Sequence, residues 1–167
     1  KTFSTRGHVH KNALWHCTVH IWIVDPSTSS ILLQKRSMNK DTFPGRWDIS
    51  SAGHAEAGKS IPETARLEIA EELGMEVPTS EFENIAFVIP AEQASMGGCN
   101  AYEHVYFLIR EATSTQFALG TSEVTDVLWM PVKELLTALR AVDDGYAPRT
   151  KQYVDAMEQE LEQILGA

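Results

Sequence analysis

The sequence predicts a mixed α/β domain in which amphipathic helices pack on a β-sheet. Two patterns predict this fold class. Residues 16–24 alternate apolar with polar side chains, which is typical of a strand. Residues 60–73, 131–140 and 151–165 instead carry apolar side chains at helical spacing, which gives each predicted helix one face to bury. The chain has 167 residues, 43% of them hydrophobic, which is enough for a full core.

The composition limits both the domain count and the partners. We expect one domain over residues 1–167, with its core at about 14–142, an N-terminal lead-in and a C-terminal helix. The chain has 14 Lys and Arg against 23 Asp and Glu, a formal net charge of −9. Because phosphate contacts need clustered basic side chains, this charge excludes a general nucleic-acid binder. It does not exclude a phosphate substrate, since a bound divalent metal reverses the local sign.

The cysteines and the hydropathy pattern indicate the compartment. Cys17 and Cys99 show no repeated spacing, so we expect two reduced thiols. No apolar run approaches the roughly 20 residues that a membrane span needs, and no secretory signal precedes the first strand. We therefore expect a cytoplasmic location and no membrane partner, while a homodimer stays open.

The remaining elements follow in order along the chain. Residues 1–12 are polar and form the lead-in. After the first strand, Asp25-Pro26-Ser27 indicates a turn, so that residues 31–34 pair back as a hairpin. Pro44-Gly45 indicates a loop before a short strand at 47–52. Further strands are expected at 85–90, 104–110 and 127–130.

Residues 60–73 form the clearest helix. Ser60 and Glu63 stand three residues apart in a capping-box pattern. Gly74 ends the helix as a C-cap glycine. A stripe at four-residue spacing is expected to be buried, and it consists of Ile61, Ala65, Ile69 and Leu73.

Three glutamates of this helix carry the functional signal. Glu68 and Glu72 stand one turn apart, and Glu71 is three residues from Glu68, so their Cβ atoms lie about 5–6 Å apart. Like charges at that spacing repel one another unless a cation lies among them. Mg²⁺ and Mn²⁺ are hard ions that take oxygen ligands, which makes these glutamates candidate metal ligands. The alternative interpretation is an acidic face exposed to solvent.

The segment around this helix resembles the Nudix box. That pattern is Gly, five residues, Glu, seven residues, Arg-Glu, an aliphatic residue, any residue, Glu-Glu, any residue, Gly and an aliphatic residue. The matching positions are Gly53, Glu68, Ile69, Glu71, Glu72, Gly74 and Met75. Two positions depart from the pattern, since Lys59 replaces the early Glu and Leu67 replaces the Arg. Leu67 lacks the donors of an arginine, and Lys59 is expected to bring positive charge near the metal.

The resemblance implies an α/β/α sandwich with a mixed sheet and a loop–helix–loop catalytic motif that binds Mg²⁺ or Mn²⁺. It implies metal ligands at Glu68, Glu71, Glu72 and the backbone carbonyl of Ala52. One of these glutamates usually serves in activating water. We assign Glu68 as the base or its organiser, and Glu72 as the second catalytic residue.

Residues 32–37 and 40–54 resemble the Nudix subgroup that contains isopentenyl-diphosphate isomerase. The isomerase carries a catalytic Cys directly before its Gly-His pair. This chain has Ala52 there, and alanine can neither donate nor accept a proton. His16 and His54 match positions where the isomerase binds metal, although a strand residue and a loop cap are the alternatives for them. His8 or His10 is the candidate for a third ligand.

Further candidate residues lie outside the box. Glu103 comes close to an isomerase glutamate and is a candidate for substrate binding. Glu123 matches a glutamate that is widely used near the last strand, and it is a candidate metal ligand. A diphosphate favours cations, for which the candidates are Lys35, Arg36 and Arg46. Solvated surface residues are the alternative for all of these.

We therefore expect a metal-dependent hydrolase that cleaves the diphosphate linkage of a nucleoside-diphosphate-like or other organic small-molecule diphosphate. Two alternatives stay open. The first is an isopentenyl-diphosphate isomerase. The second is a non-catalytic ligand-binding module, which the departures at Lys59 and Leu67 suggest.

Overall fold

The computed structural model describes residues 6–92, 100–120 and 122–166. Its elements are α1 (Arg6–Lys11), β1 (His16–Asp25), β2 (Ser30–Arg36), β3 (Trp47–Asp48), β4 (Ser51–His54), α2 (Ile61–Leu73), a 3₁₀ turn (Thr79–Phe82), β5 (Phe87–Glu92), β6 (Asn100–Ile109), β7 (Val124–Pro131), α3 (Val132–Arg140) and α4 (Lys151–Leu165). Among the described residues, no helix is both long and apolar enough to cross a bilayer. Cys17 is a free thiol in β1, whereas Cys99 lies outside the described residues.

Seven strands form one mixed sheet around β1. The strand order is β3-β2-β1-β6-β5, with β4 beside β1 and β7 beside β2. Among the strands that the structure describes, β1 and β6 run parallel and the other strand pairs are antiparallel, while Trp47 of β3 also forms an isolated parallel bridge with Tyr146. The predicted hairpin is confirmed, because Val24 pairs with Ile31 and Asp25 with Ser30.

Helices cover both faces of the sheet, so the predicted mixed α/β sandwich is confirmed. Val19, Ile21 and Ile23 of β1 pack with Ile69 of α2 in one core. Trp22 faces the other way and packs with α3 and α4 in a second core. Because successive side chains of a strand point to opposite faces, β1 contributes to both cores.

Helix α2 has the predicted start and end. The Ser60 side chain accepts a hydrogen bond from the Glu63 N–H, and the Glu63 carboxylate accepts one from the Ser60 N–H at 2.8 Å. Gly74 has a φ of 67°, and its N–H donates to the Ala70 carbonyl. A Cβ at Gly74 would lie 2.6 Å from the carbonyl oxygen of Ala118, so the close approach also requires glycine. These contacts fix the positions of the glutamates on α2.

The structure differs from the sequence prediction in several places, and the strands expected at 85–90 and 127–130 are Phe87–Glu92 and Val124–Pro131. Residues 6–11 of the lead-in form the short helix α1. The strand expected at 104–110 begins at Asn100, whose side-chain amide donates to the Ala13 carbonyl. The single strand expected at 47–52 is two strands, because β3 pairs with β2 whereas β4 pairs with β1. Ser50 lies between these two strands, and its hydroxyl donates to the Leu32 carbonyl and accepts from the Ile23 N–H.

Candidate active site

A cleft of about 580 Å³ lies around β4, and this volume suits a small-molecule ligand. Most of the predicted site residues line it, namely His16, Arg36, Ala52, His54, Glu68, Glu71, Glu72, Glu103 and Glu123. The cleft reaches both faces of the sheet at this strand. Gly53 faces α2, so its neighbours Ala52 and His54 face the side of α4.

The carboxyl group of Glu68 lies directly on Gly53. A Cβ at Gly53 would be 1.9 Å from the carboxyl carbon of Glu68, so this approach requires glycine. Burial, followed by the neighbouring carboxylates of Glu72, Glu71 and Glu123, raises the pKa of Glu68 to about 8. A carboxyl group with this pKa exchanges its proton near neutral pH.

The side chain of Glu72 is buried, and three donors hold one of its oxygens. Its Oε2 accepts from Gln34 Nε2 at 3.0 Å, from Ser51 Oγ at 2.9 Å and from the Ala52 N–H at 3.0 Å. Burial raises the pKa of Glu72, and these hydrogen bonds oppose the rise. The carboxyl group is thereby fixed against strands β2 and β4.

The segment after residue 117 brings Glu123 to the cleft. The N–H groups of Ala118 and Gly120 donate at 2.9 Å to the last carbonyls of α2. Gly120 lies so close to the helix that a Cβ would be 2.2 Å from the carbonyl oxygen of Glu71. Glu123 is three residues further along the chain. It forms an ion pair with Lys40, which also lines the cleft. The positive charge of Lys40 opposes the raised pKa of Glu68.

This donor set fits a hard divalent cation. Glu68, Glu71, Glu72 and Glu123 supply carboxylate oxygens, which Mg²⁺ and Mn²⁺ prefer. Their mutual repulsion is visible in the raised pKa of Glu68. Within the described ranges, no three His, Cys, Asp or Glu side chains are already gathered around one point. The fit therefore rests on the chemistry and charge of the oxygens, and not on a preformed cage.

The two departures from the Nudix box have different consequences. Lys59 pairs with Glu56 at 2.6 Å in the exposed loop before α2. Its charge also contributes to the lowered pKa of Glu63 in the first turn of α2. Leu67 is half-buried and supplies no donor. The donors that hold Glu72 come instead from β2 and β4.

A second group of polar side chains lines the cleft on the α4 side of the sheet. Thr18 of β1 and Glu103 of β6 are cross-strand neighbours. Arg149, which lies just before α4, also lines the cleft and is paired with Asp48. Glu103 is 5% exposed, and burial raises its pKa to about 7 although the charge of Arg149 opposes the rise.

Hydrogen bonds fix the ring of His20 in this group. Trp22 Nε1 donates to the Tyr153 hydroxyl at 2.9 Å, and that hydroxyl lies 3.2 Å from His20 Nδ1. Burial, assisted by the charge of Arg149, holds the pKa of His20 well below its usual value, so the ring is neutral. The Tyr153 hydroxyl thus joins the Trp22 indole to Nδ1 of the His20 ring. Nε2 faces Glu103 Oε1 at 3.9 Å.

The structure brings the predicted His16 and His54 together. Their rings stack with centroids 5.0 Å apart and planes 12° apart. His16 Nδ1 also lies 3.1 Å from the Leu14 carbonyl. His8 is exposed on α1, and the side chain of His10 lies outside the described residues.

Of the predicted cations, Arg36 lines the cleft, where its guanidinium donates to Asp48 at 2.9 Å. The Lys35 ammonium group lies over the Trp47 ring, 5.5 Å from its centroid. Arg46 donates to Asp144 at the surface. Neither Lys35 nor Arg46 belongs to the described lining of the cleft.

The sequence reasoning misses several residues of the site, namely Gln34, Lys40, Asp48, Ser51 and Arg149. Each acts through a partner that is distant along the chain. Arg149 and Asp48 are 101 positions apart, and Lys40 and Glu123 are 83 apart. A local motif carries no such information. The signal that was available is the charged residue Asp48 inside the strand predicted at 47–52, because a buried charge requires a partner.

Comparison with known proteins relates this site to a family. The NUDIX domain family matches residues 14–152. Nudix hydrolase 3 of Arabidopsis thaliana is 38% identical over 148 residues, which are 86% of this chain and 19% of that protein. This chain thus spans about a fifth of the length of that relative. The prenyl-diphosphate phosphatase of Methanosarcina mazei is 30% identical over 152 residues, 90% of this chain and 80% of that protein.

Solved structures share the fold at low sequence identity. The NUDIX domain of Shewanella oneidensis NrtR, complexed with ADP ribose, has a TM-score of 0.64 at 16% identity and covers 95% of this chain and 99% of that one. A bifunctional NMN adenylyltransferase/ADP ribose pyrophosphatase of Francisella tularensis, complexed with AMP and a Mn ion, has a TM-score of 0.62 at 14% identity, over 87% and 42%. The glutamate helix, the fold and the family match together show that the chain belongs to the NUDIX domain family of hydrolases.

Proposed function

We propose that this chain hydrolyses the diphosphate linkage of a small organic diphosphate with the help of Mg²⁺ or Mn²⁺. The observation that carries the proposal is the Glu68 carboxyl group. It is packed on Gly53 among three other carboxylates, and its pKa is raised to about 8. Such a group holds a proton near neutral pH, and a cation bound beside it would favour its ionised form.

Glu68, Glu71, Glu72 and Glu123 are the proposed metal ligands, together with the carbonyl of Ala52. Glu72 is the most firmly placed of them, because three donors hold its Oε2. A divalent ion bound there would neutralise charge on the phosphate oxygens and make water a better nucleophile. Glu68 accepts the proton of the attacking water, or orients that water for attack.

Cations of the cleft bind the diphosphate in this proposal. The candidates are Arg36, which Asp48 and Thr42 hold in place, and Lys40 beside Glu123. Lys35 and Arg46 remain predictions from the sequence, and their positions outside the cleft lining do not support them. The stacked pair of His16 and His54 is a second, separate candidate for a metal contact.

The test is phosphate release from a panel of nucleotide sugars, nucleoside diphosphates and prenyl diphosphates with Mg²⁺ or Mn²⁺. Glu72→Gln should lower metal-dependent kcat by about 100-fold or more, because a neutral amide is a weaker ligand. Glu76→Gln, an exposed acid just beyond α2, is the matched control. Wild-type rates in Glu72→Gln at saturating Mg²⁺ would defeat the assignment. Conversion of isopentenyl diphosphate to dimethylallyl diphosphate without phosphate release would instead indicate an isomerase.

A further inference from the structure

The α4 side of the cleft contains polar atoms that the proposed hydrolysis does not use. Thr18 stands in register between His54 of β4 and Glu103 of β6, so these three side chains form one row across the sheet. All three line the cleft. The row therefore lies where a ligand that extends past β4 from the glutamates of α2 would arrive.

Two oxygens of this row have no hydrogen-bond partner among the described residues. They are Glu103 Oε2 and Thr18 Oγ1, and both are buried. The Glu103 side chain is 6% exposed, so bulk water does little to satisfy it. Buried polar atoms in native proteins are nearly always hydrogen-bonded. Two such oxygens without a partner, in residues that line a cleft, therefore indicate a missing ligand group.

The neighbouring donors do not satisfy Glu103. His20 Nε2 lies 3.9 Å from Glu103 Oε1, which is longer than a hydrogen bond. Arg149 is held by Asp48 and by the Pro148 carbonyl. Glu103, a lining residue of the cleft, thus keeps one buried carboxylate oxygen without a donor.

We propose that Thr18 and Glu103 form a subsite that binds hydroxyl groups on the organic part of the substrate, so that a sugar-like group is favoured over a hydrocarbon chain. This proposal rests on the proposed function, which places the diphosphate beside the glutamates of α2. A sugar hydroxyl donates to Glu103 Oε2, and the Thr18 hydroxyl both accepts and donates. A prenyl chain has no donor and would leave both oxygens buried and unpaired, and a site built this way discriminates strongly against such a ligand.

The experiment measures binding without turnover, by calorimetry in EDTA. The probes are two hydroxylated diphosphates, ADP-ribose and UDP-glucose, and two prenyl diphosphates, dimethylallyl and geranyl diphosphate. Wild-type protein should bind at least one hydroxylated probe about tenfold or more tightly than either prenyl probe. Thr18→Val and Glu103→Gln should reduce this preference by about tenfold each, which corresponds to one lost hydrogen bond to a charged or buried group.

Matched controls are Thr113→Val and Glu83→Gln, which lie on the exposed surface and should leave the preference unchanged. Equal or tighter binding of the prenyl probes by wild-type protein would overturn the proposal. So would a preference that survives in both Thr18→Val and Glu103→Gln. Binding is measured without metal, so its result does not depend on hydrolysis. Failure of the phosphate-release assay would therefore count against the proposed hydrolysis and not against the hydroxyl-binding subsite.

Discussion

Gly53 has no side chain, and the Glu68 carboxyl group lies in the space that a side chain would take. The contact that a Cβ would make is with the end of a flexible side chain and not with backbone. An added methyl group would therefore displace the carboxyl group while the fold remains. At the scale of single residues, this glycine sets the position of the proposed base.

Gly53→Ala tests this relation. We expect metal-dependent kcat to fall by about 100-fold, because a displacement near 1 Å of a catalytic group has an effect of this order. The free energy of unfolding should change by no more than about 1 kcal/mol, since the displaced group can move. Gly7→Ala is the control, because a Cβ at Gly7 meets nothing within 4 Å. Full activity in Gly53→Ala would contradict the proposed role of Glu68.

At the scale of elements, Asp48 joins strand β3 to the segment before α4. One of its carboxylate oxygens accepts from Arg36 at 2.9 Å, and the other pairs with Arg149. The side chains of Asp48 and Arg149 are 5% and 8% exposed, so the ion pair is largely shielded from solvent. Removal of one partner of such a pair leaves an uncompensated charge in the interior.

Asp48→Asn should lower the free energy of unfolding by about 3–5 kcal/mol, measured by urea denaturation. The control is Asp155→Asn, whose pairs with Arg140 and Lys151 lie at the surface. That control should show a much smaller loss, because solvent screens exposed pairs. Equal losses in the two variants would show that Asp48 is not a buried anchor.

At the scale of the whole molecule, two buried carboxyl groups and the half-buried one of Glu68 couple stability to pH. The pKa of Glu68 is raised to about 8 and that of Glu103 to about 7, and burial raises the pKa of Glu72 as well. As the pH rises from about 5, the unfolded chain loses these protons first, since the ordinary pKa of Glu is near 4.5. The folded state then binds more protons, so its stability falls as the pH rises to about 8.

Urea denaturation in EDTA should show this fall, on the order of several kcal/mol between pH 5 and pH 8. Added Mg²⁺ should reduce the fall, because a bound cation stabilises the ionised carboxylates. Glu68→Gln should also flatten the profile. A stability that rises over the same interval would contradict the raised pKa values.

The sequence predicts the local parts of this molecule well. The ends of α2, its buried stripe and the clustering of its glutamates follow from helical spacing, because residues three and four apart are neighbours by geometry. Ser60, Glu63 and Gly74 are correct for the same reason.

The parts that the sequence does not predict depend on distant pairs. The split between β3 and β4 arises because the two strands pair with different neighbours. The contacts of Arg149 with Asp48 and of Lys40 with Glu123 exist only after the sheet has formed. Lys35 and Arg46 are candidates in the sequence, but Lys35 lies over the Trp47 ring and Arg46 donates to Asp144.

The central claim is that the glutamates of α2 gather a divalent ion, and crystals soaked in MnCl₂ test it most directly. An anomalous difference map at the manganese absorption edge should show a peak beside the carboxyl groups of Glu68 and Glu72, and that peak should weaken in Glu68→Gln. A map without a peak beside α2, with those side chains turned into bulk water, would contradict the account.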